Sequence, residues 1–403
     1  MKKNILVGQS GGPTAVINSS LYGVLKAGRA AQHKVIGMVN GIEGFLQDQV
    51  LDLSCLSDQE AMLLRTTPAA YLGSCRYKLP EDLSHAVYAQ IFEQLNRYHI
   101  GYFLYIGGND SMDTVSKLSR YAKQIHSDIR FIGIPKTIDN DLIMTDHTPG
   151  FGSAAKFVAS MVRQMVLDSE VYHTKSVTIV EIMGRSAGWL TAASVLARKY
   201  EGDNPVLIYL PEADFDLEDM LIRVKTLLES KQNLIICVSE GIHDQSGKLI
   251  CEYEQEIATD VFGHKNLTGC GKILENTIKQ RLGVKVRSVE LNITQRSNAI
   301  EASLTDVEEA QRCGEEGVSL ALQGESGVMI GMERRAADSY VMQYKAVDVS
   351  QVCNQEKLFP KAWISEDGSD ITQEFVQYAL PLIQGESRPV MENGLPVFLY
   401  RKH

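Results

Sequence analysis

The sequence predicts an α/β fold built on mostly parallel sheets, and three observations predict it. Short apolar runs recur along the chain, each followed by a polar or glycine-rich turn and then a helix-like segment, the pattern of βαβ units. The composition, 44% hydrophobic and 22% charged, is that of an ordinary folded protein whose core needs no covalent staples. The residues capable of chemistry fall at the carboxyl ends of the apolar runs, where open α/β sheets bind ligands; chance would scatter them over both ends. A length of 403 residues suggests about two domains.

The first run, Asn4 to Val7, ends in Gly8-Gln9-Ser10-Gly11-Gly12-Pro13-Thr14. Glycines after a strand let backbone approach a phosphate, and a helix start supplies free N–H groups; Ala15 to Ala30 reads as that helix. The loop lacks the Lys-Ser/Thr ending of a Walker A loop and is not GxGxxG, and a tight strand-to-helix turn explains it equally well. Tyr102 to Ile106 ends in Gly107-Gly108-Asn109-Asp110-Ser111. Asn109 or Asp110 can face a magnesium ion, which takes oxygen ligands and bridges phosphates. Alternatively, Asp110 or Ser111 caps a helix beginning near Met112.

Phe131 to Ile134 runs into Pro135-Lys136-Thr137-Ile138-Asp139-Asn140-Asp141. A carboxylate here can accept a proton from a hydroxyl nucleophile, and a lysine can neutralise phosphate charge, two of the parts that phosphoryl transfer needs. Asp and Asn after proline also form turns, which accounts for one or two of these residues but not for Lys136. Val177 to Ile182 ends in Met183-Gly184-Arg185, ahead of a helix start at Ser186-Ala187-Gly188-Trp189. Arg185 suits a phosphate or a sugar hydroxyl, or is a surface arginine. Val206 to Leu210 ends in Pro211-Glu212, and Leu234 to Val238 in Ser239-Glu240-Gly241, where Glu240 can accept from sugar hydroxyls or be a solvated loop carboxylate. Arg76 and Arg296 are candidate phosphate-binding arginines that pattern alone does not single out.

The net charge of -10 argues against a general nucleic-acid or anionic-membrane surface but leaves room for a locally basic cleft. The 7 cysteines are scattered and never spaced CxxC, which predicts reduced thiols rather than a disulfide framework or zinc site. The 9 histidines form no HExxH. The N-terminal apolar run is shorter than the ~7–15 residues of a signal peptide, and no run approaches the ~18 residues of a membrane helix. These readings predict a cytoplasmic protein. Domain crossings are expected at Ile143 to Gly152 and Asn292 to Asn298. The tail from residue 338 mixes strand and loop signals.

Taken together, Gly11-Gly12 with Asn18, the Gly107-Gly108 turn, Thr137-Ile138-Asp139-Asn140-Asp141, Met183-Gly184-Arg185, Glu240 and Gln295-Arg296 resemble the phosphofructokinase family in order and spacing. The resemblance implies two Rossmann-like three-layer α/β/α domains with the active site in the cleft between them. Residues 1–142 plus about 299–403 would take the phosphoryl donor, and about 143–298 the sugar phosphate. It further implies a base at Asp139 for the 1-hydroxyl of fructose 6-phosphate, with Lys136, Asp110 and Thr137 beside it in catalysis. Thr137, Ile138, Asp139, Asp141, Met183, Gly184, Arg185, Glu240 and Arg296 would hold the sugar phosphate. Gly11, Gly12, Arg76 and Lys136 would hold the donor, and Asn109 and Asp141 would face Mg2+. Because subunits share sites in this family, a homodimer or homotetramer is implied.

Two positions divide the family by donor. ATP-dependent members usually carry glycine where Asp110 stands and Pro-Gly where Pro135-Lys136 stand, so this chain resembles the pyrophosphate-dependent branch. The physics agrees. A carboxylate at 110 fills and repels the space of an ATP α-phosphate, and Lys136 supplies charge to a small donor. The reaction implied is reversible transfer from pyrophosphate to fructose 6-phosphate. The alternatives are an ATP-dependent 6-phosphofructokinase, a kinase of another sugar phosphate such as sedoheptulose 7-phosphate, and a catalytically silent sugar-phosphate-binding subunit. Departures from the family pattern are Asn109 for its usual aspartate, Pro13-Thr14 after the glycines, Ser297-Asn298 after Arg296, and Lys175 as the nearest match to an arginine before the Met183 strand.

Overall fold

Each of the six apolar runs is a strand in the computed structural model, which describes residues 2–253, 269–336 and 339–401. In chain order, the first elements are β1 (Asn4–Gln9), α1 (Ile17–Ala30), β2 (Val35–Met38), α2 (Gly41–Leu46), β3 (Val50–Asp52), α3 (Asp58–Leu64), α4 (Ala86–Arg97), β4 (Ile100–Gly107), α5 (Asn109–Gln124) and β5 (Arg130–Pro135). Next come α6 (Phe151–Glu170), β6 (Ser176–Ile182), α7 (Trp189–Ala192), β7 (Leu207–Tyr209), α8 (Leu217–Ser230), β8 (Asn233–Ser239), α9 (Cys270–Leu282) and β9 (Lys285–Glu290). The chain then returns through α10 (Thr294–Ser297), α11 (Leu304–Leu322), β10 (Val328–Arg334) and β11 (Met342–Asp348), with α12 (Gln373–Ala379) in the tail.

The chain divides into two compact units. The first comprises Met1–Ser153, Arg296–Lys357 and Leu382–His403; the second comprises Ala154–Gln295 and Leu358–Pro381. The sequence division differs in two ways. The first break falls after Ser153, inside α6, rather than at 142, because Ser153 and Gly150 donate their N–H groups to the buried Asp306 carboxylate of the first unit at 2.8 and 2.9 Å. The tail segment 358–381 joins the second unit because its aromatic rings pack round Trp189. Phe359 lies 5.1 Å from it, Tyr378 5.6 Å and Trp363 6.0 Å, centroid to centroid.

The first unit holds a seven-stranded sheet in the order β11-β10-β5-β4-β1-β2-β3, parallel except for the antiparallel edges β3 and β11. Its central strands bury both faces, which is why they read as continuous apolar runs. Leu6, Phe103, Tyr105 and Phe131 point into the core shared with α2, α4 and α5. Their neighbours Ile5, Val7, Leu104, Ile132 and Ile134 point into the core shared with α1, α3 and α11. This is a three-layer arrangement. The second unit holds the all-parallel sheet β7-β8-β6-β9, packed by α8 and α9 on one face. Among the described residues no helix is long and apolar enough to cross a membrane.

The two helices behind β1 and β5 set how closely that side of the sheet packs. A Cβ on Gly23 of α1 would lie 2.0 Å from the Gln311 carbonyl oxygen, and one on Gly314 of α11 would lie 2.1 Å from the Ser20 carbonyl oxygen. The two glycines let the backbones touch, and α1 in turn follows the Gly8–Thr14 loop. Helix propensity alone makes Gly314→Ala stabilising by about 1 kcal/mol. The packing reverses the sign, because backbone oxygen cannot rotate away. We expect Gly314→Ala to destabilise by about 2 kcal/mol, read as a lower urea midpoint; a raised midpoint contradicts this close seam.

Candidate active site

In the first unit, β1 runs forward through α1 to β2 on one side, while β4 lies on the other, so the crevice between β1 and β4 is a topological switch point. The turns after β1, β4 and β5 therefore sit side by side. Ser10 donates its N–H to the Ile106 carbonyl at 2.9 Å, and Lys136 donates its N–H to the Gly107 carbonyl at 3.0 Å. These bonds extend the sheet pairing one residue past the strands and fix the three turns against each other.

Gly11 adopts a left-handed φ of +75°, which glycine accepts without a Cβ penalty, and its carbonyl accepts from Ser74 Oγ at 2.7 Å. The Lys136 ammonium donates to the Gly12 carbonyl at 2.6 Å and lies 3.3 Å from where a Gly11 Cβ would be. Nη1 of Arg296 lies 3.4 Å from the corresponding point on Gly12. The glycines thus make room for two cations against one loop. Lys136 is only 3% exposed. Burial pulls its pKa down to about 8, against the attraction of Asp139 and Asp141 and with the repulsion of Arg296. Asn18 plays a different part. Its buried amide bridges Gln9, Tyr71 and the carbonyls of Thr67 and Ala69 at 2.7–2.9 Å, so it pins the segment behind the loop. Arg76 is exposed, just beyond Ser74 and Cys75, which bond to Gly11 and Ser10.

The helix after β4 begins at Asn109, with Gly108 as its uncapped N-terminal residue. The expected caps are therefore corrected. Neither Asp110 nor Ser111 precedes the helix, because the N–H groups of Ser111 and Met112 both turn back to the Gly108 carbonyl at 3.0 Å. Gly107 is required here, since its Cβ would fall 1.9 Å from Ser111 Oγ. Asn109 Oδ1 is buried without a hydrogen-bond partner. Asp110 is exposed and pairs with Lys78 at 3.1 Å.

The residues of the turn after β5 have separate roles. Asn140 is fully buried at a left-handed φ of 54°, with Oδ1 accepting from the Thr148 N–H at 3.0 Å; it is the turn former. The Ile138 side chain faces the interior, so it offers a ligand backbone only. Thr137 Oγ1 accepts from the Asp139 N–H at 3.1 Å. Asp141 Oδ1 is buried without a partner, and burial, reinforced by the nearby Glu356 carboxylate, raises its pKa. Among the described residues no three His, Cys, Asp or Glu side chains are grouped to cage a metal ion. The two unpartnered buried oxygens of Asn109 and Asp141 fit the magnesium pattern of few protein ligands completed by substrate phosphates.

In the second unit the turns after β6 and β8 interlock. Gly184, at φ +139°, accepts from Ser239 Oγ through its carbonyl and donates its N–H to Glu240 Oε1 at 3.4 Å. Met183 donates its N–H to Gln295 Oε1 at 3.3 Å. Gly241 passes so close to Arg185 that a Cβ would lie 1.9 Å from its carbonyl oxygen. The Arg185 and Glu240 side chains remain exposed. The helix start expected at Ser186 is only the short α7, and the turn before it is held by Glu212, whose carboxylate accepts from the N–H groups of Gly188 at 3.0 Å and Phe359 at 2.9 Å. Glu212 follows an apolar run, but nothing in the sequence around it points to this role. Ser74 carries no sequence signal of its own, and Gln295 is marked in sequence only by its place beside Arg296.

A family model described as phosphofructokinase matches residues 4–321. The pyrophosphate–fructose 6-phosphate 1-phosphotransferase of Halomonas elongata is 40% identical over 400 residues, covering 98% of this chain and 94% of that protein. Its counterpart from Xanthomonas campestris is 41% identical over 404 residues, covering 99% and 96%. The crystal structure of the pyrophosphate-dependent phosphofructokinase of Nitrosospira multiformis is similar at a TM-score of 0.89 and 36% identity, covering 99% of this chain and 96% of that one. With this likeness along almost its whole length, the chain belongs to the phosphofructokinase family.

Proposed function

We infer that this protein is a phosphotransferase that moves a phosphoryl group reversibly between pyrophosphate and the 1-hydroxyl of fructose 6-phosphate. The observation that carries this reading is the buried Lys136 ammonium against the Gly11-Gly12 loop. Relatives of similar length are named for the same reaction. The O1 oxygen of the sugar bonds to one phosphorus of pyrophosphate while the bridging P–O bond breaks and inorganic phosphate leaves. Asp139 takes the hydroxyl proton, and Thr137 orients the turn that presents it. Lys136, Gly11, Gly12 and Arg76 hold the donor. Met183, Gly184, Arg185 and Glu240 hold the sugar, and Arg296 its phosphate. Asn109 and Asp141 would hold Mg2+, which supplies charge neutralisation for the phosphates when bound. Catalysis then rests on alignment and fixed charge. The first unit is the donor-binding domain, the enzyme is a cytoplasmic homo-oligomer, and fructose 6-phosphate and pyrophosphate are its substrates.

Three measurements test this. Initial rates with magnesium and fructose 6-phosphate should show turnover with pyrophosphate and little with ATP, and Asp110→Gly should raise the ATP rate; turnover with ATP alone refutes the donor reading. Asp139→Ala should lower kcat by at least ~10³-fold without altering the circular dichroism spectrum, and near-normal turnover would remove Asp139 from the base role.

The third concerns pH. Lys136 acts as a cation, so kcat/KM for pyrophosphate should fall as pH rises past about 8, where the free enzyme loses that proton. Its folded pKa lies below the unfolded value of 10.5, so the charged lysine costs the fold roughly 3 kcal/mol at neutral pH. That cost fades as pH rises from about 8 towards 10.5. Lys136→Met should therefore leave Tm at pH 7 unchanged or higher while reducing kcat at least ~10²-fold. A Tm several degrees lower contradicts this account.

A further inference from the structure

We propose that His147, an imidazolium clamped between two carboxylates, is a positioning residue for the turn that carries Lys136, Thr137, Asp139 and Asp141. The inference rests on the function proposed above and adds to it a group that touches no substrate.

Beyond Asp141 the chain loops out and returns to start α6, and the returning limb holds the outgoing one. Thr148 donates its N–H to Asn140 Oδ1 at 3.0 Å. Thr137 donates its N–H to the Pro149 carbonyl at 3.2 Å and bridges Gly150 in parallel register. Whatever places residues 148–150 therefore places Thr137 and Asn140, and with them the base at Asp139.

His147 immediately precedes that limb and is 1% exposed. Its Nδ1 lies 2.8 Å from Asp146 Oδ1 and its Nε2 2.6 Å from Glu309 Oε2 of α11. A neutral imidazole donates from one nitrogen only. With an ionised carboxylate at each nitrogen, the cation alone completes both bonds. Burial works against the charge, but the two carboxylates outweigh it and raise the pKa to about 9. The surrounding charges are arranged to keep both partners in place. Arg334 of β10 holds Asp146 Oδ1 at 3.0 Å. The Tyr340 hydroxyl donates to Glu309 Oε1 at 2.6 Å. Lys357 donates to the carbonyls of Thr145 and Asp146. Asp306, one turn before Glu309 on α11, takes the N–H of Gly150 at 2.9 Å. Cys313 and Tyr344 feel the Glu309 charge, and burial holds their pKa values up.

If the ring loses its charge, Glu309 is left buried without its counter-ion, which is strongly unfavourable. The return limb then shifts and takes Thr137 and Asp139 with it. Misplacement of a catalytic group by about 1 Å costs on the order of 10²-fold in rate. Lys136 stays anchored at the other end of the turn by its own bonds to the Gly107 and Gly12 carbonyls at 3.0 and 2.6 Å, and the donor loop is held by Ser74, so the shift falls on Thr137 and Asp139 and substrate affinity is spared.

The test uses the intact protein with magnesium, pyrophosphate and fructose 6-phosphate. His147→Gln should lower kcat by about 10- to 100-fold while both KM values stay within about threefold, the split of a group that aligns rather than binds. Glu309→Gln leaves the imidazole one carboxylate, so the alkaline limb of kcat at saturation should move down by about one pH unit; bound pyrophosphate keeps Lys136 protonated there. Hydrogen exchange of the peptide covering residues 137–150 should be faster in His147→Gln. This readout is independent of turnover, so an inactive wild type counts against the function and not against the clamp. Unchanged kcat and exchange in a folded His147→Gln, or an unmoved limb in Glu309→Gln, overturns the proposal. Loss of the fold in both variants also overturns it, in favour of a purely structural role.

Discussion

The ammonium of Lys136 has exchanged water for a carbonyl oxygen at 2.6 Å on the neighbouring turn, in a site where the side chain is 3% exposed. Much of the first unit's functional architecture follows from accommodating that charge. A buried cation needs partners of opposite sign close by. Asp139 and Asp141 on its own turn supply them. It also needs room. Gly11 and Gly12 provide it, since a side chain on either would press on Lys136 or Arg296. The electrostatic imbalance that lowers the lysine pKa is the same property that suits it to phosphate: a desolvated cation facing a low-dielectric crevice interacts far more strongly with an arriving anion than a surface lysine does.

Both units use one device to hold a turn without consuming its functional side chains. In the first, Gly11 is left-handed and its carbonyl is held by Ser74 Oγ. In the second, Gly184 is left-handed and its carbonyl is held by Ser239 Oγ. In each case a hydroxyl from an adjacent segment satisfies a main-chain group that the tight turn leaves unpaired. The backbone is thereby fixed, and Arg76, Arg185 and Glu240 keep exposed heads. Rigid backbone with available side chains is the combination that positioning a substrate requires.

The central strands and the turns after them are legible in the sequence because burial on both faces makes a strand read as an unbroken apolar run, and because glycine, lysine and aspartate rarely cluster at strand ends without cause. The edges are not legible. Met342–Asp348 alternates exposed and half-buried positions, with only Val347 fully buried, and Val50–Asp52 is three half-buried residues; neither makes an apolar run. Asn140 and Asp141 look equivalent in sequence, yet one is a sealed turn former and the other carries an unpartnered buried oxygen. Only the φ of 54° and the bond from Thr148 separate them. The membership of residues 358–381 is hidden for a related reason: Trp189 and Trp363 are far apart in sequence, and nothing local announces that their rings meet at 6.0 Å. His147 gives no signal because its partner Glu309 is 162 positions away.

Lys136 and Asp110 read together in the sequence as the pair that selects the donor, but the fold places them in opposite electrostatic settings. Lys136 is sealed, whereas the Asp110 carboxylate is 74% exposed and partly neutralised by Lys78. An exposed charge is screened within about 8–10 Å at ordinary ionic strength and contributes little at long range. Asp110 can therefore do little to attract or repel a free nucleotide. In the function proposed, its discrimination would operate in the complex, where a ligand long enough to cover the first turn of α5 would strip water from the carboxylate and bring negative charge against it, while a short donor ending over Gly11-Gly12 would not reach it. On that reading the two residues act at different stages of selection: buried Lys136 would strengthen binding of any phosphate at the loop, and exposed Asp110 would penalise only the donor that extends past it.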